Sequence, residues 1–185
     1  MTIFEYLMVL VSIVLALGLT QVLRGFSKLV RAERRFAPVA LWGVALFLVH
    51  AQIWWALWDT RQVSNWSQLG FLYVLLIPCA LFAATELLLP STSPLDTDWR
   101  AHFFKVRVWF HGAYLAFHLL ATSFTWLLLN VPLTHPYRVA QAAMTSIHLV
   151  GMLTTRPAAH VWLAVSYILV VVVSQAFFRL FASGL

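Results

Sequence analysis

The chain has 185 residues, 62% of them hydrophobic and 10% charged, whereas a soluble domain averages roughly 45–50% apolar and about 25% charged residues. So few charges cannot cover the surface of a water-soluble domain of this length, and the apolar residues fall in runs of about twenty, enough at ~1.5 Å per residue to cross a hydrocarbon core of ~30 Å. The formal net charge of +6 does not point to nucleic acid, because the basic residues sit at the ends of apolar runs, as membrane-orientation charges do.

The sequence predicts an all-α integral membrane bundle, one domain over 1–185, with six transmembrane helices at 3–23, 38–58, 68–89, 103–129, 136–153 and 157–181. The first has no basic region before it and no small-residue cleavage pattern, so it reads as a retained helix, and its helical pattern continues through a basic stretch to Arg31. The second opens on Pro38, a residue suited to a first helical turn. The third contains Pro78, where a kink is expected, and stops at Pro90. Before the fourth, Asp96-Thr97-Asp98 has the chemistry of an N-terminal cap. The fifth and sixth are separated only by 154–156, which makes them antiparallel neighbours. Cys79, the single cysteine, excludes an internal disulfide and any all-cysteine metal site.

Orientation follows from Lys and Arg. The first, third and fifth connections carry Arg24, Lys28, Arg31, Arg34, Arg35, Arg100, Lys105, Arg107 and Arg156, against Arg61, Arg138 and Arg179 on the opposite side. That bias places the odd connections in the cytoplasm and both termini outside it. Trp54, Trp55, Trp58 and Trp66 are expected at the outer interface, and Trp42 and Trp99 at the inner one. Arg24, Lys28, Arg31 and Arg35 recur at spacings of four, three and four, so they line one helix face suited to anionic lipid headgroups at ~1 kcal/mol each. Ser12, Ala16 and Thr20 form a small-residue stripe that lets another helix, internal or from a second copy, approach closely. A homo-oligomer or a larger membrane complex is the expected assembly.

Ionisable groups inside spans are costly and therefore functional candidates. Four histidines qualify: His50 in the second helix, His111 and His118 in the fourth, and His148 in the fifth. Counting residues puts His50 and His118 roughly 20 Å from the inner boundary, and His111 and His148 roughly 10 Å from it. His111 and His118 share a helix face with Thr122 and Thr125, and Gln141, Thr145, His148 and Thr155 line one side of the fifth helix. A polar seam between these two helices is expected. It suits proton or cation passage, with Glu86 as the available carboxylate of the inner half, or else a cytoplasmic-end charge that snorkels or pairs. Equally, the histidines can act as structural hydrogen-bonding groups in an accessory or assembly subunit. A third reading is b-type haem clamped by His50 and His118. No HExxH, GxSxG or paired acidic motif is present, so no catalytic residue and no metal site is assigned.

Phe4-Glu5-Tyr6, the run from Ser12 to Thr20, Trp54-Trp55, and the stretch from His102-Phe103-Phe104 to Trp109-Phe110 together resemble bacterial multi-pass membrane proteins of similar length. The resemblance implies a bacterial inner membrane as the location and brings no activity, cofactor or site residue with it.

Overall fold

The structure is a computed structural model that describes residues 2–63, 65–94 and 96–180, with only the helical backbone for 177–180. Among the described residues there are six α-helices and no strand: α1 (Ile3–Arg31), α2 (Ala37–Ala56), α3 (Gln68–Leu88), α4 (Trp99–Leu127), α5 (Tyr137–Leu153) and α6 (Pro157–Leu180). A 3-10 turn, Leu57–Gln62, extends α2. Residue 181, the expected end of the last helix, lies outside the described residues.

Local chemistry sets the boundaries. Thr2 and Glu5 form a reciprocal capping box at the start of α1, which satisfies two otherwise unpaired backbone N–H groups. Ser67 accepts from Gly70 N at the start of α3, and α3 continues through Pro78. α4 begins at Trp99, four residues earlier than the apolar run predicts, because the Asp98 carboxylate accepts from the N–H groups of Arg100 and Ala101. The bond to Ala101 is the largest cause that holds the Asp98 carboxyl below its ordinary range; desolvation opposes it, and the bond to Arg100 and the nearby Arg34 charge add to the lowering.

The helices pack in a closed ring, α1–α3–α4–α5–α6–α2, with α2 also touching α3. The inner face of α1 is Leu7, Val11, Leu15, Gly18, Val22, Gly25 and Leu29, a spacing of three and four that keeps one stripe inward. A Cβ at Gly25 would run into the Leu89 side chain and one at Gly18 into the His50 ring, so these two glycines provide the close approach. The Ser12–Ala16–Thr20 stripe does not: Ala16 and Thr20 face outward.

One end of the ring is basic and cross-tied. Lys28 Nζ donates to Pro90 O, Ser91 O and Ser93 Oγ, Gln21 donates its amide to Leu89 O, and Arg34 pairs with Asp98 at 3.5 Å. Arg107 donates to Thr154 O. The first, third and fifth connections therefore meet at the same end.

Four helical segments are long and apolar enough to cross a membrane: Ile3–Arg31, Ala37–Gln62, Gln68–Leu88 and Pro157–Ala176. α5 has 17 residues, short of the roughly 20 that a span takes, and α4 is interrupted by Lys105, Arg107, His111 and His118. Trp54, Trp55 and Trp58 are exposed and Trp66 is half-buried, whereas Trp42 and Trp99 are fully buried. The inner-belt expectation for those two fails because both face the core rather than the rim.

Candidate functional site

The outward faces of α4 and α5 are mostly apolar, with Arg100, Lys105 and Ser146 also exposed, and their inward faces carry the histidines. On α4, Phe103, Phe110, His111, Tyr114, Phe117 and His118 are buried along one stripe, at spacings that stay on one side of a helix. On α5 the buried positions are Gln141, Met144, His148 and Gly151. Two of these stripes meet where His111 Nδ1 and His148 Nδ1 lie 3.0 Å apart. Neither ring has any exposed surface. A bond between two like nitrogens requires that one ring donate its Nδ1 hydrogen while the other accepts and carries its own hydrogen on Nε2.

The pair is central to a longer row. On the basic side His160, at the start of α6, stacks on His111 with centroids 5.6 Å apart and planes at 21°. His160 Nε2–H donates to Thr154 O at 3.1 Å, the same carbonyl that Arg107 binds. On the other side His148 faces His118 at 5.3 Å between centroids, and His118 Nε2 is 2.9 Å from the Tyr167 hydroxyl. The contact order is thus His160, His111, His148, His118, Tyr167. His160 Nδ1, His111 Nε2 and His148 Nε2 are buried without a hydrogen-bond partner among the described residues, although buried polar atoms are normally paired.

Aromatic packing seals this row. Trp42 of α2 lies 5.2 Å from both His111 and His148, and Tyr114 sits 4.3 Å from His148, all centroid to centroid. Gly151 makes the pair possible, since a Cβ there would lie 2.5 Å from the His111 ring. Trp42, Tyr114, Gly151, His160 and Tyr167 are absent from the sequence-based candidates. His160 lies three residues after Pro157 at a helix end, where a histidine reads as interfacial, and Trp42 has the position of a belt residue.

Past His118 a cavity of about 90 Å³ opens between α2, α4, α5 and α6. Its walls are mostly apolar, with Gln52, Thr125, Tyr137, Gln141 and Tyr167 supplying polar atoms. Arg138 does not line the cavity but bonds two residues that do, Thr125 and Gln141. Its Nη1 donates to Thr125 Oγ1 and Gln141 Oε1, both at 2.7 Å, and to Thr122 O at 3.1 Å, while Nη2 donates to Val131 O at 2.7 Å. These oxygens surround the C-terminal end of α4, where a cation meets the negative end of the helix dipole and unpaired carbonyls. Asn130, at φ 53°, turns the chain there.

The structure thus brings His111, His118, His148 and Gln141 into one interior, with Thr122 contributing its backbone carbonyl. It does not bring in Glu86, whose Oε1 accepts from Ser91 N and Ser91 Oγ at 2.8 Å. That carboxylate is used at the end of α3 because α3 turns it toward the connection instead of α4. Of the basic stripe, Arg24, Arg31 and Arg35 are exposed. Lys28 is committed to the third connection, and Arg35 bonds Ala32 O and Val30 O.

Comparison of the chain with protein-family models, with curated proteins and with solved structures gives no match. Assignment therefore rests on the geometry. His50 and His118 are not a clamp: His50 donates Nδ1–H to Leu46 O and presses its other edge on Gly18 of α1, while His118 turns to Tyr167 of α6. The cavity beside His118 is not bordered by His50 and falls well below the roughly 300–1,000 Å³ of cofactor pockets. In this arrangement the two rings turn to different helices, His50 to α1 and His118 to α6. Equal depth along two helices left their rotation undetermined, and the rotation separates the rings.

Proposed function

We propose that the chain is a six-span protein of a bacterial inner membrane that passes protons or small cations through the interior formed by α2, α4, α5 and α6. Its basic end faces the cytoplasm in this reading, which leaves Arg24 and Arg31 for anionic headgroups. The observation that carries the proposal is the unbroken contact order from His160 through His111, His148 and His118 to Tyr167 and a cavity that carries polar groups among mostly apolar walls. Histidine takes up and releases protons near neutral pH, and the hydroxyl and amide groups beyond it supply further hydrogen-bonding sites.

The surfaces of α4 and α5 support the same reading. Trp109, Leu119, Trp126 and Leu127 are exposed on α4, and Val139, Leu149, Val150 and Leu153 on α5. Large apolar side chains outside, with the histidines and Gln141 turned inward among aromatic rings, is the pattern of a helix that faces lipid on one side and holds its ionisable groups inside the bundle.

The test is flux. Full-length protein reconstituted into liposomes with an internal pH dye is expected to dissipate an imposed proton gradient, or an ion-sensitive dye to report cation entry. His118→Ala combined with His148→Ala is expected to remove that flux. Equal flux with and without the double substitution overturns the interior route. Liposomes as tight as protein-free ones, with the chain folded, leave the histidines a structural role.

A further inference from the structure

We propose that the His111–His148 contact is a proton-only crossing point, which exchanges N–H hydrogens and admits neither metal cations nor a water column. This rests on the passage proposed above and narrows what passes. The cavity is bordered by His118 and Tyr167 but not by His111, His148 or His160. Beyond His118 the path is closed by rings: Trp42 lies against both members of the pair, and Phe110 stands 4.8 Å from His111. At 3.0 Å between Nδ1 atoms, only a hydrogen fits on the line joining the two rings. A hydrated ion has no route, whereas a proton needs none wider than a hydrogen bond.

The transfer balances on the atoms present. A proton arrives at the free Nε2 of the donor ring, whose Nδ1 hydrogen then crosses to Nδ1 of its partner. The partner, now carrying two hydrogens, releases the one on its Nε2. One proton has entered at one unpartnered Nε2 and one has left at the other, and both of these atoms are buried and unpaired. The hydrogen bond ends reversed, so a second proton in the same direction requires each ring to move its hydrogen back between its nitrogens. His160, with Nδ1 free, stands on the His111 side, and His118 on the His148 side. The titratable or charged groups packed around the pair are Arg107, Tyr114 and His118 from α4 and His160 and Tyr167 from α6; α2 contributes Trp42. Arg138, a positive charge bonded to Thr125 and Gln141 of the cavity wall, adds a barrier to cations.

The experiment is selectivity of the full-length protein in liposomes, with matched H⁺, Na⁺ and K⁺ gradients read by separate dyes, in H₂O and in D₂O. Expected is H⁺ flux without Na⁺ or K⁺ flux, slower in D₂O, and lost in His148→Gln, whose amide keeps hydrogen-bonding capacity but does not titrate. Na⁺ or K⁺ flux alongside H⁺ overturns the proton-only crossing while the passage stands. H⁺ flux undiminished in folded His148→Gln also overturns it. No flux of any ion overturns the passage itself. If His148→Gln fails to fold, the wild-type selectivity decides alone.

Discussion

At the scale of single residues, the absent side chain of Gly151 matters as much as the rings it admits. Among the buried residues of α5 it is the one that lets His111 reach His148, because any Cβ would sit 2.5 Å from two atoms of the His111 ring and 2.8 Å from a third. Gly112, on the facing helix, is different: the nearest side-chain atom to its Cβ position is Met152 Cε at 3.9 Å, ordinary van der Waals contact. The two substitutions make a matched pair. Gly151→Ala is expected to destabilise the protein by about 1–3 kcal/mol through overpacking. Gly112→Ala is expected to be neutral or stabilising by up to about 1 kcal/mol through helix propensity. Thermal unfolding in detergent, with both variants beside the wild type, separates them. Equal midpoints for the two would mean that His111 moves aside at little cost, and the tight seating described above would be wrong.

Among the elements, α4 is held at both ends by polar side chains, one cheap to recognise and one not. The N-terminal cap, Asp98, stands in sequence directly before the helix it starts. The C-terminal tie comes from Arg138, eleven residues past Leu127, and joins α4 to the start of α5. No carboxylate faces this guanidinium among the bonds described. It is satisfied by oxygens of Thr122, Thr125, Val131 and Gln141. Hydrogen bonds to a charged group contribute ~1.5–3 kcal/mol, so Arg138→Ala is expected to lower stability by about that amount. Arg138→Lys is expected to recover only part, since an ammonium does not reproduce the planar fork. Chemical denaturation of the two variants checks this, and full recovery by lysine would show that charge alone matters. The contrast also explains what was legible beforehand. Helix positions, caps and the depth match of His111 with His148 follow from counting residues along the chain. Which way each face turns follows from the ring order α3–α4–α5–α6–α2, a tertiary fact that no single helix encodes. Depth alone therefore paired His50 with His118, and the same limit hid Trp42, His160 and Arg138.

For the whole molecule, the question is whether α4 and α5 cross the membrane with the other helices. Composition separates them: α5 is short and α4 carries charges in its first turns, while each of the other four segments holds an apolar stretch long enough to cross. Packing unites them, because α4 lies between α3 and α5 in the ring and their outer faces carry large exposed apolar side chains. If they cross, the fourth connection, 128–136, lies on the face opposite the third and fifth. If they lie along the surface, all three connections share a face, and α6 still crosses in the same sense. Cysteine labelling distinguishes the two. With Cys79 replaced by alanine, single cysteines at Arg34, Ser93, Thr134 and Arg156 are probed in intact cells with a membrane-impermeant thiol reagent. A six-span protein oriented by its basic end is expected to label at Thr134 alone, and at the other three only after the membrane is opened. Thr134 protected together with Ser93 and Arg156 would reduce the crossings to four. The histidine row would then run along one leaflet instead of through the bilayer, and the proposed passage would lose its route.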